Sequence, residues 1–179
     1  MKQPNTPGFI KERFGQLLPG TVLDVASGDG AATLYLAAKG FTVTAIDISD
    51  VALERLSFFA QEFNLEVAAY LVDLDKPSTL ARLGTFDNII IAHFKPESTH
   101  WPLLVSLLRP GGKLLLSTFN LEHHLKNDFS RRFCLEEKEL VNVSDQLALE
   151  HHASVNRNGS YMDDYLFRRV DLPYLKPTI

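Results

Sequence analysis

A chain of 179 residues with 45% hydrophobic side chains can bury one sizeable core, and no Gly/Ser linker or charge block divides it, so a single domain over residues 1–179 is expected. A formal net charge of −4 offers no general basic field to a phosphate backbone, which makes nucleic acid an unexpected partner. A lone cysteine, Cys134, leaves no intrachain disulfide, no apolar run reaches the ~20 residues of a membrane span, and Met1 to Pro7 lacks the apolar stretch of a secretion signal; the expectation is a cytoplasmic monomer or homodimer.

In chain order, Phe9, Ile10, Phe14, Leu17 and Leu18 recur at helical spacing until Pro19-Gly20 stops the pattern, giving a leading helix within residues 1–20. Thr21 to Val25 is short, β-branched and apolar, and reads as a first strand. Beyond Gly28 and Gly30, Leu34, Ala37 and Ala38 return to helical spacing. Phe41 to Ile48 alternates as a second strand ending at Asp47, after which Ser49 or Asp50 caps a helix to about Phe63. Leu65 to Val72 makes a third strand ending in Asp73, and a short helical piece is expected from Thr79 to Leu83. Phe86 to Ala92 is a fourth strand, apolar enough to be covered on both faces. Pro96 to Leu108 reads as a helix with Pro96 in its first turn and Pro110-Gly111-Gly112 past its end, and Lys113 to Phe119 as a fifth strand. Strands alternating with helices at these lengths imply right-handed crossovers and a parallel, doubly wound sheet.

The tail departs from that rhythm. Leu135 to Val143 reads as a short helix, and Leu147 to Val155 and Tyr161 to Val170 as strands joined through Asn156-Arg157-Asn158-Gly159-Ser160. A connection of that length containing Asn-Gly is a hairpin, so the last strand runs antiparallel to its partner. The expected fold is α/β, a doubly wound Rossmann-like sheet of seven strands with the last antiparallel.

The chemistry gathers at the first turn. Gly28 and Gly30 permit a sharp turn and a close approach of backbone to ligand, presenting the first amides of the following helix as a nucleotide-type site. A dinucleotide fingerprint needs a third glycine where Thr33 stands. Asp24 and Asp29 would also oppose a pyrophosphate: at ~5 Å and an effective dielectric of about 20, each repulsion is roughly 3 kcal/mol, enough to counter the attraction of the helix terminus. A cation is favoured instead. S-adenosylmethionine, with an ammonium, a sulfonium and one carboxylate, suits the arrangement.

At this point Val22-Leu23-Asp24-Val25-Ala26-Ser27-Gly28-Asp29-Gly30 resembles motif I of the class I S-adenosylmethionine-dependent methyltransferases. Val43 to Ser49, Asp73-Leu74, Phe86 to Ile91 and Leu108 to Leu114 resemble the motifs that follow it, and the likeness runs over about residues 9 to 170. Arg132-Phe133-Cys134-Leu135 leading into Glu139-Leu140 is similar to the tellurite-resistance methyltransferase group. The resemblance implies a seventh, antiparallel strand, a cofactor-binding half over 21–119 and an acceptor side over 120–179. It also implies S-adenosylmethionine bound by Asp24, Ala26, Ser27, Gly28, Asp29, Gly30, Asp47, Ile48, Asp73, Leu74 and Ala92, with methyl transfer to a small-molecule or metalloid acceptor. Two other functions stay open: a protein that binds the cofactor as a sensor, and an NAD(P)-dependent oxidoreductase.

Each residue carries a competing reading. Asp47, at a strand end, is placed to accept from both ribose hydroxyls or to cap a helix. Asp73 faces the adenine amino group or is a loop carboxylate, with Leu74 offering backbone or packing to the ring. Asp24 and Asp29 face the methionine ammonium. His93, leaving the fourth strand at the crevice, is a candidate general base near neutral pH or a structural hydrogen-bonder. No metal site is expected, because His123-His124 and His151-His152 are adjacent pairs whose side chains point apart. Arg131-Arg132 and Arg168-Arg169 read as solvated faces, Trp101 and Cys134 as packing. The acceptor pocket is expected to draw on the leading helix, Phe94 to Trp101 and Phe119 to Phe133.

Overall fold

The computed structural model describes residues 4–76, 80 and 82–171. Among them the helices are α1 (Gly8–Arg13), α2 (Ala31–Ala38), α3 (Asp50–Glu62), α4 (Trp101–Leu107) and α5 (Leu121–Lys126). The strands are β1 (Thr21–Val25), β2 (Thr42–Asp47), β3 (Val67–Leu71), β4 (Phe86–Ala92), β5 (Leu108–Phe119), β6 (Leu147–Arg157) and β7 (Ser160–Arg169). They form one sheet in the order β3-β2-β1-β4-β5-β7-β6. The first five strands are mutually parallel, and β7 enters antiparallel between β5 and β6, with Leu115 opposite Leu166. The expected fold class is the observed one.

Side-chain alternation along the strands divides the core by face. Leu23, Val25, Ile89, Ile91, Leu114 and Leu116 pack with Trp101, Leu104 and Val105 of α4. Val22, Ile90, Leu115 and Leu166 point the other way and meet Phe9 and Ile10 of α1 and Leu36 of α2. A third cluster seats Leu53, Leu56 and Phe59 of α3 on Ala45 and Leu34. Burying side chains of this kind stabilises by about 1.5–3 kcal/mol each, so the three clusters fix the sheet that carries the site.

Several boundaries differ from the sequence reading. The leading helix closes at Arg13 and tightens into a 3-10 turn over Phe14–Gln16. The expected helix from Pro96 is shorter: Glu97 caps a 3-10 turn at Ser98–His100, and α4 follows it. β5 starts at Leu108, because Pro110-Gly111-Gly112 forms an irregularity inside a strand and not a gap before one. No helix spans Leu135 to Val143. Lys138 takes a positive φ of 57°, and the amides of Glu139, Val141 and Val143 bond three residues back, so the segment is a chain of turns. The helix in this region is α5, begun by Asn120, whose side chain accepts from the His123 amide. The piece expected over Thr79 to Leu83 lies largely outside the described residues. The hairpin closes through Asn158 and Gly159, at φ 55° and 87°, the two-residue turn whose twist suits antiparallel strands.

Candidate functional site

The strand order turns back on itself between β1 and β4, and an open α/β sheet presents its ligand crevice at the carboxyl ends there. Ala26, leaving β1, and His93, leaving β4, both hold positive φ, 54° and 58°, a conformation that costs a non-glycine residue on the order of 1–3 kcal/mol. Two cavities meet at these residues and share Ala26, His93 and Phe94 as walls. The larger, about 660 Å³, extends past Asp47, Asp73 and Leu74 to Phe129 and Phe133. The smaller, about 280 Å³, lies over the glycine loop and is lined by Asp24, Ser27, Gly28 and Ala92, with Pro7 at the start of α1 closing it.

In the smaller cavity Asp24 is 1% exposed and accepts a hydrogen bond from the Thr33 hydroxyl at 2.6 Å. Burial pushes its carboxyl pKa up to about 7, the Thr33 bonds pull against that shift, and the Asp47 charge adds to it. Thr33, which breaks the dinucleotide fingerprint, thus orients the buried acid. Asp29 also lines this cavity, but its carboxylate turns to Arg55 of α3 at 3.0 Å. The two glycines separate in role. A Cβ on Gly28 would meet nothing within 4 Å, so that backbone lies open to a ligand. One on Gly30, at φ 86°, would fall 2.2 Å from Leu56 Cδ1, so this glycine allows α3 to pack on the loop. Gly30 also stands at the N-cap of α2 without a capping side chain, which leaves the first-turn amides to other partners.

In the larger cavity Asp47 Oδ2 accepts from the Gly28 amide at 2.8 Å and Oδ1 from the Ser49 amide at 2.9 Å. It ties the glycine loop to the entrance of α3, and the cap of α3 is Ser49, whose hydroxyl accepts from the Ala52 amide. Ile48 beside it is 69% exposed along the cavity wall. Asp73 accepts from the Asp75 amide at 3.1 Å and pairs with Lys76 at 3.0 Å; the Lys76 bond first, then the Asp75 amide, holds its carboxyl below the usual range. His100 accepts from the Glu97 amide through Nδ1, which leaves Nε2 to donate to Asp75 at 3.0 Å.

His93 sits where the cavities meet. Its amide donates to the Ser117 carbonyl at 2.8 Å and its ring stacks on Phe119, centroids 5.6 Å apart. Neither ring nitrogen has a hydrogen-bond partner among the described residues, unlike the other reading of a structural hydrogen-bonder. The surrounding protein, and next the charge of Arg157, hold its pKa below the usual imidazole value, so the ring is neutral at neutral pH. Arg157 escaped the sequence reading. It bonds Asp164 through both terminal nitrogens, at 3.0 and 2.6 Å, and Glu12 of α1 at 2.8 Å. Among the described residues no cluster of three His, Cys, Asp or Glu side chains is set to hold a metal ion, and no helix is long and apolar enough to cross a membrane.

Residues 22–112, just over half of the chain, match the family described as a methyltransferase domain. The chain belongs to the class I S-adenosylmethionine-dependent methyltransferase family. This membership and the antiparallel β7 set aside the oxidoreductase reading. Among curated relatives, the ubiquinone biosynthesis O-methyltransferase of Escherichia coli is 28% identical over 117 residues, 63% of this chain and 48% of that one. The chain therefore spans about half the length of the curated relatives it matches. Among solved structures, TehB from Haemophilus influenzae superposes with a TM-score of 0.75 at 18% identity, covering 91% of this chain and 62% of that one. The magnesium protoporphyrin IX methyltransferase of Synechocystis, solved with S-adenosylmethionine bound, gives a TM-score of 0.68 at 20% identity, covering 88% of this chain and 74% of that one. S-adenosylmethionine is the cofactor that goes with the family.

Proposed function

We propose that this protein transfers a methyl group from S-adenosylmethionine to a small-molecule acceptor at the crevice between β1 and β4. The observation that carries the reading is the pair of cavities joined over Ala26 and His93, one floored by a buried acid and one edged by two strand-end acids. A molecule with an amino-acid half and a nucleoside half fits such a pair with its sulfur at the junction.

The residues present fit the group. Asp24 suits the ammonium, whose positive charge would favour release of the carboxyl proton to solvent, and the uncapped first-turn amides of α2 suit the carboxylate. Ser27 Oγ, buried and without a hydrogen-bond partner among the described residues, supports a ligand at the loop. Asp47 keeps lone pairs for two ribose hydroxyls beyond the two amides it already holds. Ile48, Leu74 and Ala92 supply apolar wall, and Asp73 an acceptor for the adenine amino group. Asp29, engaged by Arg55, contributes through its backbone in the loop. When bound, the cofactor supplies a methyl on a positively charged sulfur, so displacement at carbon needs alignment, a dry pocket and an acceptor lone pair. Neutral His93 takes the proton of a hydroxyl or amine acceptor. A metalloid or thiolate anion already holds a free lone pair and would bypass it.

Calorimetry with the cofactor, S-adenosylhomocysteine, NAD and NADP tests the first half, and saturation at ~100-fold excess over Kd should add roughly 2.7 kcal/mol of stability. Tight NAD binding with none of S-adenosylmethionine would end the reading. A screen of phenols, amines, thiols and metalloid oxyanions for S-adenosylhomocysteine release tests the second. His93→Ala should lower turnover of a protonated acceptor by about 10²-fold with cofactor affinity kept, and spare a metalloid or thiolate. Cofactor binding with no turnover in any class would favour a sensor.

A further inference from the structure

We infer that the acceptor is a flat aromatic molecule carrying a carboxylate, held with that anion at Arg132 and its methylated atom at His93; this rests on the methyl-transfer reading above. The part of the larger cavity beyond the two strand-end acids is walled by rings. His93, Phe94, Phe129 and Phe133 line it. Phe119 ties two of these together, its ring 5.6 Å from that of His93 and 4.7 Å from that of Phe129. Aromatic walls prefer an offset-stacked or edge-on ring, contributing about 0.5–1.5 kcal/mol per pair beyond the area buried.

The charges then set the direction. Lys95 is spent on Glu139 at 2.8 Å and the Cys134 carbonyl at 2.9 Å, and His100 on Asp75. Arg132 differs: its guanidinium lies 4.3 Å over the Phe133 ring, and it has no carboxylate partner among the described residues. Both arginines are exposed, as a solvated face requires, but Arg131 is taken by Glu136 at 2.9 Å, which leaves Arg132 as the member of the pair able to receive an anion. A planar guanidinium set on an aromatic face presents its donors edge-on, the geometry that binds a carboxylate through two parallel bonds. Asp47, Asp73, Asp75 and Glu97 line the cavity elsewhere and would repel an anion, which leaves Arg132 as its place.

The test loads the protein with S-adenosylhomocysteine and titrates hydroxybenzoates and aminobenzoates against their methyl esters by calorimetry, which reads binding without turnover. At least one acid should bind ten-fold or more tighter than its ester. Arg132→Gln should abolish that preference while the ester binds as before, and Arg132→Lys should restore part of it. Equal binding of acids and esters, no binding of either, or an Arg132→Gln variant that weakens both alike would overturn the inference. The methyl-transfer reading stands or falls separately, on whether S-adenosylhomocysteine binds at the loading step.

Discussion

If Asp24 meets the cofactor's ammonium as proposed, it is the residue at which folding and cofactor use conflict. It ionises from a value of 3.8 when unperturbed and about 7 in the fold, so between those values the folded state holds the extra proton. Stability therefore falls as pH rises through that window, by an amount on the order of a few kcal/mol, and levels off above it. Asn is the shape of the protonated acid and can still accept from Thr33. Asp24→Asn should leave melting near pH 4 unchanged, raise it near pH 8, and weaken S-adenosylmethionine at least ten-fold. Melts that fall at both pH values would mean the carboxylate itself holds the fold. For the native protein the cofactor's affinity should rise with pH up to about 7, with a proton released on binding, which calorimetry in buffers of different ionisation enthalpy measures directly. The sequence showed Asp24 and showed Thr33 as the broken fingerprint. What it hid was that the one orients the other, because nine positions separate them and only the α2 turn brings them together.

Among elements, the glycine loop and α3 are coupled through the Asp29–Arg55 pair, through Asp47 and through the approach of Leu56 to Gly30, of which the last is a packing contact. Gly30→Ala adds a Cβ at 2.2 Å from Leu56 Cδ1 and a residue strained by its φ, and should cost about 1–3 kcal/mol or more. Leu56→Ala alone should cost about 2–5 kcal/mol as a cavity. Made together they should cost less than the sum by ~0.5–3 kcal/mol, since the shortened side chain no longer meets the new methyl. Additive melting shifts would remove the contact from the account. The strands were legible because β-branched and apolar runs ended at glycines and acids, and the Asn-Gly turn named its own hairpin. The segment from Leu135 to Val143 was not. Leu140 in the core and Val143 packed against it stand three apart as on a helix, yet Leu135 is held by a bridge to Asn120 and Lys138 turns left-handed, and neither leaves a mark in the pattern.

Across the whole molecule, Arg157 joins the leading helix to the hairpin. Asp164 is 2% exposed beneath it, so Arg157→Gln leaves a buried carboxylate alone and should cost about 3–5 kcal/mol. Adding Asp164→Asn should recover most of that loss, which a merely exposed pair would not require. With the guanidinium gone, His93 also loses a neighbouring positive charge, its pKa rises, and the acid limb of the pH profile for transfer should move upward. A profile that stays in place would separate Arg157 from the proposed base. No local pattern could mark its tie to the leading helix, since Glu12 stands 145 positions away, although Asp164 is only seven positions along the hairpin.

That distance has a consequence for a chain made from its amino end. When β5 has left the ribosome, the nascent protein already holds the whole glycine loop, Asp47, Asp73 and His93, and with them every residue that the family match covers. It still lacks the guanidinium that fastens Glu12, the ring nitrogen of His151 that meets Arg13 at 2.7 Å, and the strand that covers the free edge of β5. The helix behind Pro7 then has the packing of Phe9 and Ile10 on Val22, Ile90 and Leu115 but neither of its polar ties, so the roof of the smaller cavity is held less firmly until β6 and β7 emerge. Vectorial synthesis should deliver a cofactor site complete in its residues well before it is complete in its grip, with capture of S-adenosylmethionine waiting on the hairpin.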